Sequence, residues 1–342
     1  MVYKSMRRQS GVALIMAVVS VAIISIIAVA MSSEQTLLIR RIQNTILVDT
    51  AWQCAVGSEG FGVTLLHRKH ENDIKEGKEY DNLKEFYPLG QLVPTPLQGT
   101  SCIIAPGPVL EDMQGLFNLT NLEDGNGAVS SIGMATFENL ISQVGVPQSL
   151  RGGLAASVSD WVDPDQQELA NGAEDSYYQT LEKPYLAANQ IFKSVEELRL
   201  VRGFNEIVPL PNNEEKTVFE LLEEHLVVLP TQTALNVNTA TETILLASFP
   251  HLNANQAAEL VERAKEDPPF SSASDFTGHS ANQPQNGQSI DWNDYLPVDV
   301  RSEYFSVNLT VSLGGIDTPL YSVLRRNLDD GKVHVVRRQR GK

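Results

Sequence analysis

The sequence predicts an α+β protein in which a long N-terminal helix packs on a small antiparallel sheet and a large all-α domain is inserted in the sheet domain. Apolar residues recur at helical spacing far beyond an initial apolar run. Strand-like segments form two groups near the two ends of the chain. The long stretch between these groups shows short helical patterns and almost no strand signal, so an insertion into one loop of the sheet is the simplest arrangement.

The chain begins with a short basic head followed by an apolar helix. Lys4, Arg7 and Arg8 supply the positive charges, and no charged residue occurs from Val12 to Ser33. A helix of roughly 20 apolar residues is about 30 Å long, enough to cross the hydrocarbon core of a membrane. Positive charge before the span favours a cytoplasmic N-terminus.

Gly11 is a candidate cleavage site because it lies before the apolar segment, whereas an ordinary secretory signal is cut after it. A cut between Gly11 and Val12 would remove the basic head and leave the helix on the mature protein. This layout resembles the type IV pilin and pseudopilin class, whose leaders are removed on the cytoplasmic side by a dedicated membrane peptidase. An uncleaved signal anchor is the alternative.

Beyond the apolar run, the pattern predicts that the helix continues to about residue 67 as an amphipathic helix whose apolar stripe requires a covering sheet. Its apolar positions are Leu37, Leu38, Ile42, Ile46, Leu47, Trp52, Val56, Phe61, Leu65 and Leu66. Strands are predicted over residues 101–105, 115–119, 304–313, 319–326 and 332–336, with a turn at Asp330-Gly331 between the last two.

Helices are predicted over residues 135–144, 150–162, 194–200, 216–225, 241–248 and 255–265. The predicted organisation is a leader (1–11), a membrane span (12–33), an amphipathic helix with the first strands (34–122), an inserted α-helical domain (123–295), and the remaining strands with a basic tail (296–342). We expect this tail to be a frayed, solvated end.

Composition restricts the class of partner. The 42 acidic residues exceed the 26 basic residues, and the formal net charge is −16. Such a chain would repel nucleic acid. The two cysteines, Cys54 and Cys102, would pair in an oxidising compartment, and two buried free thiols are the alternative.

An acidic segment predicts a calcium site. Asp160-Trp161-Val162-Asp163-Pro164-Asp165 is followed by Asn171-Gly172-Ala173-Glu174-Asp175, and calcium takes six to eight oxygen ligands in a flexible shell. The spacing departs from an EF-hand, which has a glycine at its sixth position and a glutamate at its twelfth. An ordinary acidic surface loop is the alternative. The candidate ligands are Asp163, Asp165, Glu168, Glu174 and Asp175.

Two further patterns carry weaker signals. Residues 235–265 have a helix-hairpin-helix outline in which Asn238 or Thr239 would cap the first helix, but the hairpin lacks glycine and is surrounded by acidic residues, so we expect a packing or protein-contact module. His67 and His70 lie three residues apart without an evident third ligand. No catalytic constellation is recognisable, and the chain is predicted not to be an enzyme.

Taken together, several motifs resemble the general secretion pathway protein K family, the minor pseudopilins of type II secretion systems. They are Gly11-Val12-Ala13-Leu14-Ile15, Gln114-Gly115-Leu116-Phe117-Asn118-Leu119, Asp160-Trp161-Val162-Asp163, Gly172-Ala173-Glu174-Asp175-Ser176-Tyr177-Tyr178 and Leu235-Asn236-Val237-Asn238-Thr239-Ala240.

The resemblance implies a pilin-like sheet with a helical insert that holds calcium. It also implies a single-pass inner-membrane protein with a periplasmic C-terminal domain. The implied place is the pseudopilus tip, together with the I and J minor pseudopilins. Further implied partners are the prepilin peptidase and the inner-membrane secretion platform, with neither nucleic acid nor a small-molecule substrate.

One position departs from the general pilin pattern. Most pilins carry a glutamate five residues after the cut, where this chain has Met16. That glutamate is thought to neutralise the α-amino group of a neighbouring subunit, and an unpaired carboxylate in hydrocarbon is costly. A tip subunit has no neighbour above it, so this loss is expected there. Two alternatives remain open: a minor pilin of a type IV pilus or competence system, and a membrane-anchored periplasmic hydrolase.

Overall fold

The computed structural model describes residues 10–82, 95–96, 101–105, 110–210, 214–284 and 289–341. The basic head at residues 1–9 therefore lies outside the described residues, as does Lys342. For Ser10, Thr95 and Pro96 only the backbone is described.

Helix α1 dominates the N-terminal part of the chain. It runs over Ser10–Glu76, so it extends nine residues beyond the predicted end at residue 67. At about 1.5 Å per residue its 67 residues make a rod of roughly 100 Å. Its N-terminal part is long and apolar enough to cross a membrane, and none of the most apolar window is buried within the protein.

Only the C-terminal part of α1 meets the sheet. Ala51, Ala55, Ser58, Gly62 and Leu66 are buried at helical spacing against it. A Cβ atom on Gly62 would lie 2.5 Å from Val307 Cγ2, so glycine lets the helix approach the strand closely. The predicted stripe is covered from Leu47 onward, apart from Phe61, and is exposed before that residue. The stripe residues that remain exposed are Leu37, Leu38, Ile42, Ile46 and Phe61.

In the part of the chain that the structure describes, six antiparallel strands form the sheet. Its order is β1 (Thr95–Pro96), β2 (Ile103–Ile104), β10 (Tyr304–Leu313), β11 (Ile316–Arg326) and β12 (Val333–Gln339), and β3 (Leu110–Asp112) also pairs with β10. The β10–β11 hairpin turns at Gly314 and Gly315, whose φ angles of 58° and 83° suit glycine.

The basic tail is ordered, contrary to the expectation of a frayed end. Residues up to Gln339 form β12 and pair with β11. Arg338 reaches across to Glu59 of α1, and the Arg340 guanidinium lies 5.2 Å from the centre of the Trp52 ring. Side-chain pairing with the long helix therefore fixes this end of the chain.

The helical part packs on the face of the sheet opposite α1. The predicted helices are present with shifted limits, and two further helices, Asp175–Tyr178 and Ala273–Gly278, appear in addition. The α-helices are α2 (Ser131–Gln143), α3 (Gln148–Val162), α4 (Asp175–Tyr178), α5 (Val218–Leu222), α6 (Glu242–Ser248), α7 (Ala254–Ala264) and α8 (Ala273–Gly278). The predicted helix at residues 194–200 is a 3-10 helix, Val195–Leu200, and residues 223–225 form another.

Short strands also occur in this part, although the sequence shows almost no strand signal. They are β4 (Phe117–Asn118), β5 (Ile207–Pro209), β6 (Glu215–Thr217), β7 (Leu226–Val227), β8 (Leu235–Asn236) and β9 (Val298–Asp299). The predicted strand at 115–119 does not join the six-stranded sheet, because β4 pairs in parallel with β7. Phe117 and Val300 belong to the helical core although they lie outside residues 123–295.

A buried polar cluster joins the helical part to the sheet and to α1. Asp112 Oδ2 accepts hydrogen bonds from Asn236 Nδ2 (2.8 Å), Ser302 Oγ (2.7 Å) and Thr239 Oγ1 (3.0 Å). Asp81, next to this group, pairs with Arg326 and has Lys69 Nζ of α1 at 3.3 Å. The motif around Asn236 thus ties the helical part to the junction.

Candidate metal site

The acidic loop that follows α3 is held by a buried carboxylate. Asp160 is fully buried in the last turn of α3, and both of its oxygens lie 3.2 Å from the Leu169 backbone nitrogen, which donates to them. Gly172 approaches so closely that a Cβ atom there would lie 2.0 Å from Asp160 Oδ2. Asp160 therefore holds the loop in place, and both of its oxygens accept a hydrogen bond from the loop backbone.

Three of the five predicted ligands converge. Asp163 ends α3 in an extended conformation, Asp165 follows Pro164, and Glu174 precedes α4. One carboxylate oxygen from each lies within 4.8 Å of the others. Glu174 is 2% exposed, and both of its oxygens and Asp163 Oδ1 are buried without a hydrogen-bond partner. Buried carboxylate oxygens in this state favour a bound cation.

The other two predicted ligands have different contacts. Glu168 accepts a hydrogen bond from Ser176 Oγ at 3.2 Å. Asp175 accepts the Ala187 backbone N–H at 2.9 Å and Gln166 Nε2 at 3.0 Å. These contacts brace the loop, and neither side chain belongs to the group of three carboxylates.

Asn189 contacts the cluster at Asp165 and is not among the residues predicted from the sequence. Its Nδ2 donates to the Asp165 backbone carbonyl at 3.2 Å, while its Oδ1 is buried without a partner. Its φ angle of 45° lies in the left-handed region. It follows Asp165 by 24 residues in a segment without an acidic pattern, so the sequence carries no signal for its role.

The electrostatics of the cluster also favour a cation. Burial, together with the charges of Asp160, Asp163 and Asp175, raises the pKa of Glu174 to about 7. Burial and the neighbouring Asp165 and Asp160 raise the pKa of Asp163 in the same direction. A divalent cation would offset this mutual repulsion, and oxygen-only donors match calcium better than a transition metal.

The residues of the helix-hairpin-helix outline and the two histidines make contacts that stabilise the fold. Thr241 caps α6 by accepting a hydrogen bond from the Ile244 N–H, so the predicted cap at Asn238 or Thr239 was wrong. Asn238 instead bonds the backbone of Phe270 through both its Nδ2 and its Oδ1. His67 Nδ1 lies 3.2 Å from the Gly331 carbonyl oxygen, and a Cβ atom on Gly331 would collide with the His70 ring. The histidines thus pack against the β11–β12 turn.

The two cysteines form a disulfide. Cys54 of α1 is joined to Cys102 beside β2, and both lie in the core between helix and sheet. The structure therefore favours the paired alternative over two free thiols.

The chain matches two family models and several named proteins. Two models described as type II secretion system, protein K, match residues 115–209 and 235–293. A type II secretion system protein K from Pseudomonas aeruginosa is 34% identical over 98% of this chain and 94% of its own length. This chain belongs to the type II secretion system protein K family.

Protein K relatives of lower identity also match this chain over nearly its whole length. The Aeromonas hydrophila protein is 27% identical over 98% of both chains, and the Klebsiella pneumoniae protein is 26% identical over 93% of both. The fold also matches a chain in a crystal structure of the GspK-GspI-GspJ complex of the enterotoxigenic Escherichia coli type 2 secretion system. The TM-score is 0.69 at 20% identity, and the match covers 88% of this chain and 99% of the other. The predicted α+β, pilin-like fold is confirmed.

Proposed function

We propose that this protein K family member is a minor pseudopilin that caps the pseudopilus tip with the I and J minor pseudopilins and initiates its assembly. The filament would then serve the export of folded proteins across the outer membrane. The observation that supports this role most strongly is the match of nearly the whole chain to type II secretion system protein K relatives. The matched fold comes from a complex that contains GspI and GspJ.

The shape of the molecule supports a terminal position. A helical domain sits on the sheet face opposite α1, so the head is much broader than the helix that carries it. A head of this size would obstruct side-by-side packing in a thin filament, and at the tip it has room. Within the described residues, the apolar N-terminal part of α1 is the one helix that could serve as the membrane anchor.

Charge and redox chemistry support the proposed membrane arrangement. The basic head would remain in the cytoplasm until the prepilin peptidase cuts between Gly11 and Val12, and the C-terminal domain would lie in the periplasm. A disulfide between Cys54 and Cys102 suits that oxidising compartment. Met16 leaves the anchor without a carboxylate that would need a cationic partner in the bilayer.

Calcium is the proposed ligand of the cluster formed by Asp163, Asp165 and Glu174, with Asn189 Oδ1 as an additional donor. The ion would hold the loop after α3 against the segment that carries Asn189. Its role would be structural, in keeping with a function in assembly and not in catalysis.

Assembly is tested by producing the full chain together with its cognate I and J minor pseudopilins and purifying them in detergent. We expect a stoichiometric three-subunit complex, and the cognate major pseudopilin produced in place of I and J serves as the control. Failure to recover I and J, with recovery of type IV pilus components from native membranes, would contradict the proposal.

The tip position is tested separately with Met16→Glu and the neutral control Met16→Gln. We expect Met16→Glu to reduce secretion and tip incorporation because it adds an unpaired carboxylate, whereas Met16→Gln retains more of both. Equal secretion by the two variants, with the subunit found along the filament shaft, would refute the tip assignment.

A further inference from the structure

A groove crosses the sheet face that the helical domain only partly covers. Strand pairing places Glu111 opposite Ser306, Ser306 opposite Val323, and Val323 opposite Arg337. These residues of β3, β10, β11 and β12 therefore form one row across four strands. We refer to the space above this row, bounded on its other side by residues 195–196 and 223–228, as the cross-strand groove.

The floor of the cross-strand groove is apolar. Leu116, Val227, Tyr321 and Val323 line it, and Phe219 contributes from the helical domain. Its volume is about 470 Å³, within the range of about 300–1,000 Å³ in which protein sites bury most of a small ligand. Burial of apolar side chains from a ligand would therefore stabilise its binding here.

The rim of the cross-strand groove is acidic. Glu111, Glu196, Glu223 and Glu224 line it and are exposed, whereas Arg337 is its cationic side chain. Tyr321 is close to charges of both signs: burial raises its pKa, Arg337 lowers it, and Glu111 and Glu196 raise it. Four glutamates against one arginine leave the rim with a net negative charge.

We propose that the cross-strand groove binds a short segment of a partner polypeptide in which an apolar side chain adjoins a lysine or arginine. The apolar floor takes the first side chain, and the glutamate rim pairs with the second. A free polyamine matches the rim but leaves the floor empty, and an acidic segment is repelled by the rim. The site is separate from the carboxylate cluster and does not depend on the tip assignment.

The test uses the full chain in zwitterionic lipid nanodiscs and a fluorescein-labelled peptide, Lys-Leu-Lys-Leu-Lys, with binding measured by fluorescence anisotropy. We expect saturable binding that weakens when salt is added. Peptides with serine in place of leucine, or glutamate in place of lysine, bind at least about tenfold more weakly because each lacks one of the two features.

The matched variants are Glu223→Gln with Glu224→Gln in the groove, and Glu242→Gln with Glu259→Gln on α6 and α7. Both pairs lie at exposed positions and remove two negative charges. We expect the groove pair to weaken peptide binding by about three- to tenfold and the control pair to leave it unchanged. The proposal is wrong if there is no saturable signal above empty nanodiscs up to about 1 mM peptide, or if the two double variants behave alike.

Discussion

Arg338 and Glu59 form a two-pronged ion pair between the last strand and the long helix. Arg338 Nε lies 2.9 Å from Glu59 Oε2, and Nη2 lies 2.6 Å from Oε1. Glu59 is 4% exposed and also accepts a hydrogen bond from Ser322 Oγ. Such paired hydrogen bonds are among the stronger polar contacts in proteins, and here they join β12 to α1.

Removing this pair should destabilise the fold. Arg338→Ala leaves the Glu59 carboxylate buried with Ser322 as its remaining partner, so we expect the free energy of unfolding to fall by about 2–3 kcal/mol. Arg325→Ala is the control, because the Arg325–Glu303 pair is much more exposed and should be worth less than about 1 kcal/mol. Urea unfolding of the full chain in detergent measures both. Equal losses in the two variants would show that the Glu59 pair has no special role.

Calcium should stabilise the protein through Glu174. An ion that binds only the folded state at about 100 times its dissociation constant adds about 2.7 kcal/mol, so calcium should raise Tm by a few degrees and a chelator should reverse the change. Glu174→Gln should abolish this response and raise the stability of the calcium-free protein, because it removes one of the mutually repelling charges.

Glu168→Gln is the matched control for the calcium experiment. Glu168 bonds Ser176 and does not belong to the cluster, so its variant should keep the calcium response. Differential scanning calorimetry with added calcium or chelator measures all three proteins. A wild-type Tm that ignores both additions would disprove the metal site, and loss of the response in Glu168→Gln would place the ligands elsewhere.

Reduction of the disulfide should loosen the contact between α1 and the sheet. Cys54 and Cys102 are 48 residues apart, and on the chain-entropy model a closed loop of this length adds about 4 kcal/mol of stability. We expect a reductant to lower the urea midpoint of the wild-type protein and to leave that of Cys54→Ala with Cys102→Ala unchanged. A wild-type midpoint that resists full reduction would contradict the expected contribution.

Asp112 should give the protein a distinctive pH dependence. Burial is the main cause that raises its pKa from 3.8 to about 6. Between these values the folded state holds the proton and the unfolded state has released it, so the contribution of Asp112 to stability is full below about pH 4 and is lost as the pH rises to about 6. The difference corresponds to about 3 kcal/mol at most.

The control for the pH experiment is Asp112→Asn, whose side chain does not titrate. The wild-type free energy of unfolding minus that of the variant should decrease between about pH 4 and pH 6, and other carboxylates cancel in this difference. Chemical unfolding at a series of pH values measures it. A difference that is flat or rises with pH would show that hydrogen bonds from Asn236, Ser302 and Thr239 outweigh burial.

Leader removal is tested by intact mass and N-terminal sequencing of the protein from native membranes. We expect a chain that starts at Val12, and we expect Gly11→Leu to retain the leader because it replaces the small residue at the cut. A wild-type chain that starts at Met1, or one cut after the apolar run, would exclude processing of the pilin type.

The sequence predicted those features that depend on neighbouring residues. The apolar periodicity of α1 and the alternation in β10 and β11 gave the long helix and the hairpin, because both patterns repeat over many residues. The three clustered carboxylates lie within 12 residues of one another, so the sequence could indicate that they lie close together, and their binding of calcium stays a prediction.

Features that depend on distant contacts were missed. Asn189 meets Asp165 only after the chain folds back, and β4 pairs with β7, more than a hundred residues later. Arg338 looked like part of a solvated tail because its partner Glu59 is 279 residues away. Length and periodicity carry no information about such pairings, since tertiary packing decides them.

The separation between Glu59 and Arg338 in the sequence also affects the order in which the parts of the protein can fold during synthesis. Synthesis proceeds from the N-terminus, so residues up to Val300, which complete the helical core, emerge before β10, β11 and β12. The helical domain can therefore fold before β10, β11 and β12 are available to cover the C-terminal part of α1. Closure of the sheet on α1 comes last, so a chain that ends before β10 would carry the helical domain without the strands that cover α1.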